Sequence, residues 1–470
     1  MRKLNMTDEL FLRLERRQQP MHVGCLFLFS KPKNSGEDYV HDLFNRIKTF
    51  DKPTTPFNFK LHKKLGKYYW VEDDEFDIDH HVRFHALPRP HRIRELLSYV
   101  SIEHSNLMHR ERPLWEFTLI EGIENNRFAI YIKTHHALLD GVSGLKMMMR
   151  SFTEKSDLFE MPPLWAFPER ETKKKARKRQ SFLNKDFVLN SAKSGLTVGN
   201  LIRRELSAAH EEQFQIAPRS MFNTKITGSR RYAAQSYDLN RFKGIAKSTD
   251  STVNDVVLSV MGGALRQYMM EQNQLTKESL ITAVPISNQR EETGFGNDLS
   301  ILMAPIGSNI ELPLDRLSHI KQDIQKKKAL LSSLSKSEYL MYLSAMITPG
   351  AIQLSTGIGD SLLPANMVIS NVAGPQSTLY WNGSQLEGFY PVSLIVDRMA
   401  LNITLVSYDG HMDFGITACR KSLPSIQRIL ELIENSISAH EDALKIEGIL
   451  KNVSKEGKTT ISDSKIIETV

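Results

Sequence analysis

Apolar and polar residues alternate along Phe128-Ala129-Ile130-Tyr131-Ile132-Lys133, the period of a β-strand with one face turned inward. Beyond it the apolar spacing becomes helical at Val142, Leu145, Met148 and Met149. The same two periods divide the rest of the chain. Strands are predicted at His22–Phe29, Trp115–Ile120, Arg230–Tyr237, Leu280–Ile286, Asn297–Ile306, Met367–Val372, Leu394–Val396, Ala400–Tyr408 and Met412–Cys419. Extended segments are expected at Phe57–Val71 and Phe76–Ala86, and a turn at Asn125-Asn126. Helices are predicted at Asp8–Arg17 with Thr7 as cap, Glu37–Thr49, Arg92–Met108 and Leu239–Ser248, and after Thr252, Leu314 and Pro424. Strands and helices mix in both halves, so the expected class is α/β.

The strand at Phe128 runs into His135 and His136, and Asp140 and Gly141 follow before the helix. An imidazole held between two rigid elements can take a proton from a hydroxyl. A carboxylate at Asp140 could orient it or shape the loop, and glycine at 141 would permit a positive φ. Two bland readings compete: satisfied histidines at a strand end, and a metal site. Adjacent strand residues point to opposite faces, and no third His or Cys stands nearby at ligand spacing, so no metal is expected. A second pair, His80-His81, lacks the Asp-Gly and reads as a loop or strand-edge feature.

Composition narrows the setting. The chain has 470 residues, long enough for two domains, and 41% of them are hydrophobic. Its net charge of +7 favours anionic partners, and Lys173–Arg179 is a compact cationic run. No stripe interleaves cations with aromatics, so nucleic acid is not expected. The two cysteines, Cys25 and Cys419, lie in apolar runs and read as buried thiols of a reducing compartment. No signal-peptide pattern opens the chain and no apolar run is long enough to span a bilayer.

The full pattern H-H-x-x-x-D-G resembles the signature of the coenzyme A-dependent acyltransferase superfamily, which includes chloramphenicol acetyltransferase-like enzymes and peptide-synthetase condensation domains. Four further stretches narrow the resemblance: Arg16-Arg17-Gln18-Gln19-Pro20-Met21-His22-Val23-Gly24, Pro113-Leu114-Trp115, Asn254-Asp255-Val256-Val257-Leu258 and Ser370-Asn371-Val372-Ala373-Gly374-Pro375. In this order, from about residue 1 to about 450, the chain closely resembles the bacterial bifunctional wax ester synthase/diacylglycerol acyltransferases.

The resemblance implies two chloramphenicol acetyltransferase-like domains, each with a mixed sheet and flanking helices, and an active-site channel between them. The expected division is an N-terminal domain over 1–160, a linker with the basic run and helices over 161–220, a C-terminal domain over 221–451 and a disordered tail over 452–470. It implies His136 as general base, His135 and Asp140 as loop-shaping residues, Asn254 as oxyanion donor, and Gly141, Pro113, Leu114 and Trp115 beside the substrate. The implied reaction moves a long-chain acyl group from acyl-CoA, a co-substrate, to a fatty alcohol or diacylglycerol, with no permanently bound cofactor and no acyl-enzyme. The implied setting is cytoplasmic, peripheral to the inner membrane or to lipid bodies, as monomer or weak dimer. Two other readings stay open: a condensation-type transferase with a carrier-protein donor, and a non-catalytic lipid-surface protein.

Overall fold

The computed structural model describes residues 1–139, 141–167, 217–287, 299–334, 338–339, 342 and 364–446. Asp140, the basic run at 173–179, the helices expected over 182–206 and the tail from 452 lie outside the described residues.

The chain opens with β1 (Arg2–Lys3) and α1 (Met6–Leu14). The cap of α1 is Asn5 and not Thr7: extended backbone at Asn5 lets its side-chain oxygen accept the Asp8 N–H at 2.7 Å. There follow β2 (His22–Ser30), α2 (Tyr39–Lys48), a hairpin of β3 (Phe59–Lys64) and β4 (Lys67–Glu72), and a single helical turn α3 (Ile78–His81) leading into β5 (Val82–Ala86). The pair His80-His81 thus lies in a helical turn. His81 is buried there, stacks on Trp115 and turns Nδ1 to the Trp115 carbonyl at 2.8 Å. Next come α4 (Ile93–Glu103), β6 (Trp115–Ile123), β7 (Arg127–His135) and α5 (Gly141–Met149). Glu124, Asn125 and Asn126 join β6 to β7, the two asparagines with φ of 62° and 56°, a left-handed conformation that asparagine tolerates.

The second half carries β8 (Arg230–Asp238), α6 (Leu239–Ser248), α7 (Val253–Glu271), β9 (Ile281–Ser287), β10 (Leu299–Pro305), α8 (Pro313–Ser333), β11 (Met367–Ala373), β12 (Tyr380–Trp381), β13 (Ser384–Val392), β14 (Leu401–Tyr408), β15 (His411–Cys419) and α9 (Gln427–Ile446). Residues 394–396 form no strand, only a bridge between Val396 and Met399.

Three sheets result, ordered β1-β4-β3, β12-β13-β2-β7-β6-β5 and β10-β9-β11-β14-β15-β8. The second departs from one sheet per half, because β12 and β13 come from the C-terminal part of the chain. β13 pairs antiparallel with β2 from Gln385↔Ser30 to Val392↔Gly24, with a bulge between Leu386 and Gly388. Gly388 and Pro391 hide this strand from a period count, since proline removes a ladder donor and glycine packs nothing.

β13 is also the joint between the two large sheets. The Asp413 carboxylate on β15 accepts the Phe389 N–H at 2.7 Å and the Ser236 hydroxyl at 2.6 Å, and the Tyr232 hydroxyl donates to the Pro391 carbonyl at 3.1 Å. On the other face, α4 sits between β7 and β8 and packs Leu96 and Val100 with Tyr131, Tyr232 and Ala234.

The backbones at this joint leave no room for a side chain at Gly415, where a Cβ would lie 1.8 Å from the Pro391 carbonyl oxygen. Gly415→Ala is expected to separate the sheets and lower the unfolding free energy by at least about 3 kcal/mol. Urea unfolding measures this, with Gly36→Ala as comparison: a Cβ there meets nothing within 4 Å, so its effect should stay within about 0.5 kcal/mol.

Candidate active site

Two neighbours hold the end of β7. β2 runs beside it with His22 opposite His135, and β6 flanks it with Trp115 opposite Thr134. Past the ladder the backbone is still anchored: the His135 N–H donates to the Leu114 carbonyl at 3.0 Å and the His136 N–H to the Met21 carbonyl at 2.9 Å. The Leu138 N–H then closes a turn on the His135 carbonyl at 2.8 Å, which launches the chain toward α5.

The two histidines have different surroundings, as strand alternation requires. His135 is fully buried, whereas His136 is half-buried, its ring stacked on Phe11 of α1 with centroids 4.1 Å apart. The Nδ1 of His135 accepts the Ala137 N–H at 3.0 Å, so the proton of the neutral ring sits on Nε2. That nitrogen faces Glu15 Oε1 at 3.3 Å.

Glu15 caps the C-terminus of α1, and its carboxylate is almost fully buried. Arg110 reaches Oε2 with two nitrogens, at 3.0 and 2.8 Å, and holds the Leu12 carbonyl at 2.6 Å. The Met21 N–H donates to Oε1 at 3.3 Å. Burial alone would raise this carboxyl, but the His135 ring, the Arg110 guanidinium and the Met21 N–H outweigh it and hold it down at about 2. One carboxylate therefore ties α1, the histidine turn and the start of β2 together. Glu15 and Arg110 carried no signal in the sequence, because their spacing from His135 matches no motif.

Beneath β7 lies a second polar layer. Lys133 is 1% exposed and donates to Glu116 Oε2 at 2.8 Å and to the Glu103 carbonyl at 3.0 Å. Burial would raise Glu116, but Lys133 and Arg83 bring it below the ordinary carboxylate range. His104 donates through Nε2 to the Ser393 carbonyl at 3.2 Å, leaving Nδ1 for the Tyr131 hydroxyl at 2.8 Å. Burial, Arg230 and Lys133 bring His104 down to about 3, and burial drives His22 down as well. Both rings are neutral at ordinary pH.

The other expected site residues fall as follows. Leu114 is buried against Leu12, Met108 and Ala137. Trp115 is 1% exposed: its Nε1 donates to the Phe57 carbonyl at 2.9 Å and its ring stacks between His81 and Trp165. Pro113 and Leu114 thus back the histidine turn, while the Trp115 ring lies in an aromatic core. Gly141 is exposed and opens α5 without a positive φ, contrary to the expected turn, because the helix begins at that residue. Among the described residues a Cβ there would meet nothing within 4 Å. Asn254 lies in the first turn of α7, where Thr252 and Asp255 form a reciprocal capping box. Its side chain is half-buried, and among the described residues no hydrogen bond or ring contact joins it to the His136 turn. Under α5, Phe27, Phe117, Ile130, Ile132, Phe152 and Trp381 line a small apolar void of about 10 Å³. Among the described residues no group of three or more His, Cys, Asp or Glu could hold a metal, and no helix is long and apolar enough to cross a membrane.

Residues 4–257 match the family model of the wax ester synthase/diacylglycerol acyltransferase catalytic domain, and 295–440 match that of its C-terminal domain. The O-acyltransferase WSD of Acinetobacter baylyi is 40% identical over 455 residues, covering 94% of this chain and 98% of that protein. A Mycobacterium tuberculosis protein named as a probable diacylglycerol O-acyltransferase is 37% identical over 448 residues, covering 93% and 98%. The solved wax ester synthase/diacylglycerol acyltransferase from Marinobacter aquaeolei superposes with a TM-score of 0.79 at 41% identity, covering 95% of this chain and 100% of that one. A starter condensation domain of rhizomide synthetase, solved with C8-CoA, gives 0.53 at 11% identity over 94% and 95%, a likeness of fold.

The Glu15 clamp makes stability depend on acid pH. A carboxyl held at about 2 against its ordinary 4.5 stabilises the fold fully above 4.5, and that contribution is lost as pH falls toward 2. Urea unfolding between those limits should show a loss of about 3 kcal/mol, and Glu15→Gln should be less stable at neutral pH with a flatter acid limb.

Proposed function

The chain belongs to the wax ester synthase/diacylglycerol acyltransferase family, and on that premise we propose that it moves a long-chain acyl group from acyl-CoA to a fatty alcohol or diacylglycerol with His136 as general base. The observation that carries the assignment is the division of labour at β7. His135 is sealed in by Glu15 and Ala137, while His136 is half-buried on a turn whose backbone is anchored at Met21.

In the reaction, the His136 ring accepts the proton of the acceptor hydroxyl. The oxygen attacks the thioester carbonyl, forming the ester C–O bond as the C–S bond breaks. The coenzyme A thiolate leaves and takes the proton back from the imidazolium. No covalent enzyme intermediate is required, because holding both substrates together supplies much of the rate. Asn254 is the proposed oxyanion donor, supported by its place in the first turn of a helix, where the dipole favours developing negative charge. Among the described residues the space over Gly141 is open, which suits a substrate beside the turn. Asp140 and His135 shape the turn. Acyl-CoA binds as co-substrate. Both acceptors are water-insoluble, so the enzyme works from the cytoplasmic side at a membrane or lipid-body surface, as monomer or weak dimer.

His136→Ala is expected to lower kcat for palmitoyl-CoA and hexadecanol by about 10²–10⁴-fold with an unchanged circular dichroism spectrum. Near wild-type turnover in that folded variant would remove the assignment. Asn254→Ala should cost about 3 kcal/mol of transition-state binding, read as kcat/KM. Supplying the acyl group on a carrier protein in place of coenzyme A separates a condensation-type donor, which should give no product.

A further inference from the structure

The β3–β4 hairpin ends in a turn of unexpected chemistry. Lys64 pairs with Lys67, so Leu65 and Gly66 alone make the loop. Their φ values are 49° and 75°. Glycine fits its position, but a left-handed leucine costs roughly 1–2 kcal/mol, and asparagine, aspartate or glycine is the usual choice there. The Leu65 side chain recovers nothing by packing, being 93% exposed.

Cations surround this leucine. Lys63, Lys64 and Lys67 are exposed beside it, and Lys3 is exposed on β1 opposite Tyr69. The ion pairs of this module are made by other cations, Arg13 with Glu9 and Lys60 with Asp73 and Asp74. Among the described residues, the ammonium groups of Lys3, Lys63, Lys64 and Lys67 have no carboxylate partner. The acidic cluster Glu72-Asp73-Asp74 starts at the base of the hairpin, six residues and roughly 20 Å from the tip. Edge protection of a small sheet accounts for lysines. It does not account for an exposed, strained leucine at their centre, where a polar residue would serve better.

The face of this sheet that carries Lys63 also runs into the site. Phe59, Leu61, Tyr68 and Trp70 pack with Leu12, Leu114 and Ala137. α1 spans tip and site: Arg13 reaches the Gly66 carbonyl at 3.3 Å, and Phe11 stacks on His136. Leu10, one turn from Arg13, is 51% exposed.

We propose that the β3–β4 tip is a docking surface for an anionic lipid bilayer, with Leu65 entering the headgroup region and Lys3, Lys63, Lys64 and Lys67 held over the lipid phosphates. It deepens the reading of the protein as an enzyme with water-insoluble acceptors, by naming the face it turns to them. Charge complementarity selects the occupant: exposed cations without carboxylate partners, Lys63 lying over the Tyr68 ring, surround one apolar side chain and match an anionic interface, where each lysine gains about 1 kcal/mol, or roughly fivefold in partition.

The test reads binding directly, without turnover, so it stands apart from the assignment of the reaction. Full-length protein is sedimented with phosphatidylcholine vesicles with or without about 30 mol% phosphatidylglycerol. Binding is expected to the anionic vesicles and to weaken as salt rises from about 0.1 to about 0.5 M. The triple variant Lys63→Glu, Lys64→Glu, Lys67→Glu should lose about a hundredfold in partition. A control with the same charge change elsewhere, Lys247→Glu, Lys326→Glu, Lys328→Glu, should stay within about twofold, since those charges lie away from the contact.

Leu65→Asn separates docking from folding. It relieves the strained turn, so thermal stability should hold or rise, while partition should fall about tenfold. Turnover of a short acyl-CoA with a water-soluble alcohol should match wild type in both tip variants. Equal loss of binding in the control triple, or unchanged binding in Leu65→Asn, would overturn the proposal. So would loss of turnover with the soluble substrates.

Discussion

A single buried carboxylate holds this site in shape. Glu15 meets Arg110, His135 and the Met21 amide within one shell, and each belongs to a different part of the chain. A carboxylate stripped of water is costly unless donors replace that water, and here the guanidinium, a ring N–H and a backbone N–H replace it. Removing any partner would leave charge unsatisfied in the interior, so the arrangement is selected as a unit. Its effect passes to the neighbouring histidine through the backbone: once the His135 ring is fixed, the peptide that carries His136 has little freedom, and the Met21 carbonyl takes up what remains.

The same loop binds the two halves of the molecule. The Gln19 amide accepts the Asp397 N–H at 2.7 Å, and Arg230 donates to the Gln18 carbonyl at 2.9 Å. Together with β13 in the first sheet and Asp413 bridging to the second, these contacts make the halves one packed body at the level of the site. The register between such halves is set by backbone hydrogen bonds and buried polar pairs, not by surface complementarity. That suits a reaction whose rate depends on holding two substrates in register.

What could be read in advance divides along a physical line. The β7 strand, the change of period into α5, the Asn125-Asn126 turn and the long α7 were legible because each depends on neighbours in sequence. The different surroundings of His135 and His136 were legible only as far as strand alternation separates their faces. Glu15 was not, since its meaning depends on α1 packing on a turn far down the chain. The stacking of Trp115 on His81 and Trp165 was not legible either, because a strand residue's facing depends on which helix covers it. β13 was missed because proline and glycine inside it obey the needs of a sheet joint, where backbones approach too closely for side chains.

α1 links the chemistry to the surface. Within nine residues it places Phe11 on His136, Arg13 on the hairpin tip and, just past its end, Glu15 on His135. A bilayer that holds the tip therefore sets the height of His136 above the lipid, with one layer of protein between. For an acceptor with negligible free concentration in water, encounter is set by the time the enzyme spends at the interface. On the proposed reading, the lysines at the tip raise kcat/KM for such an acceptor without touching the thioester, and leave the chemical step to His136 on the turn that Glu15 and His135 hold.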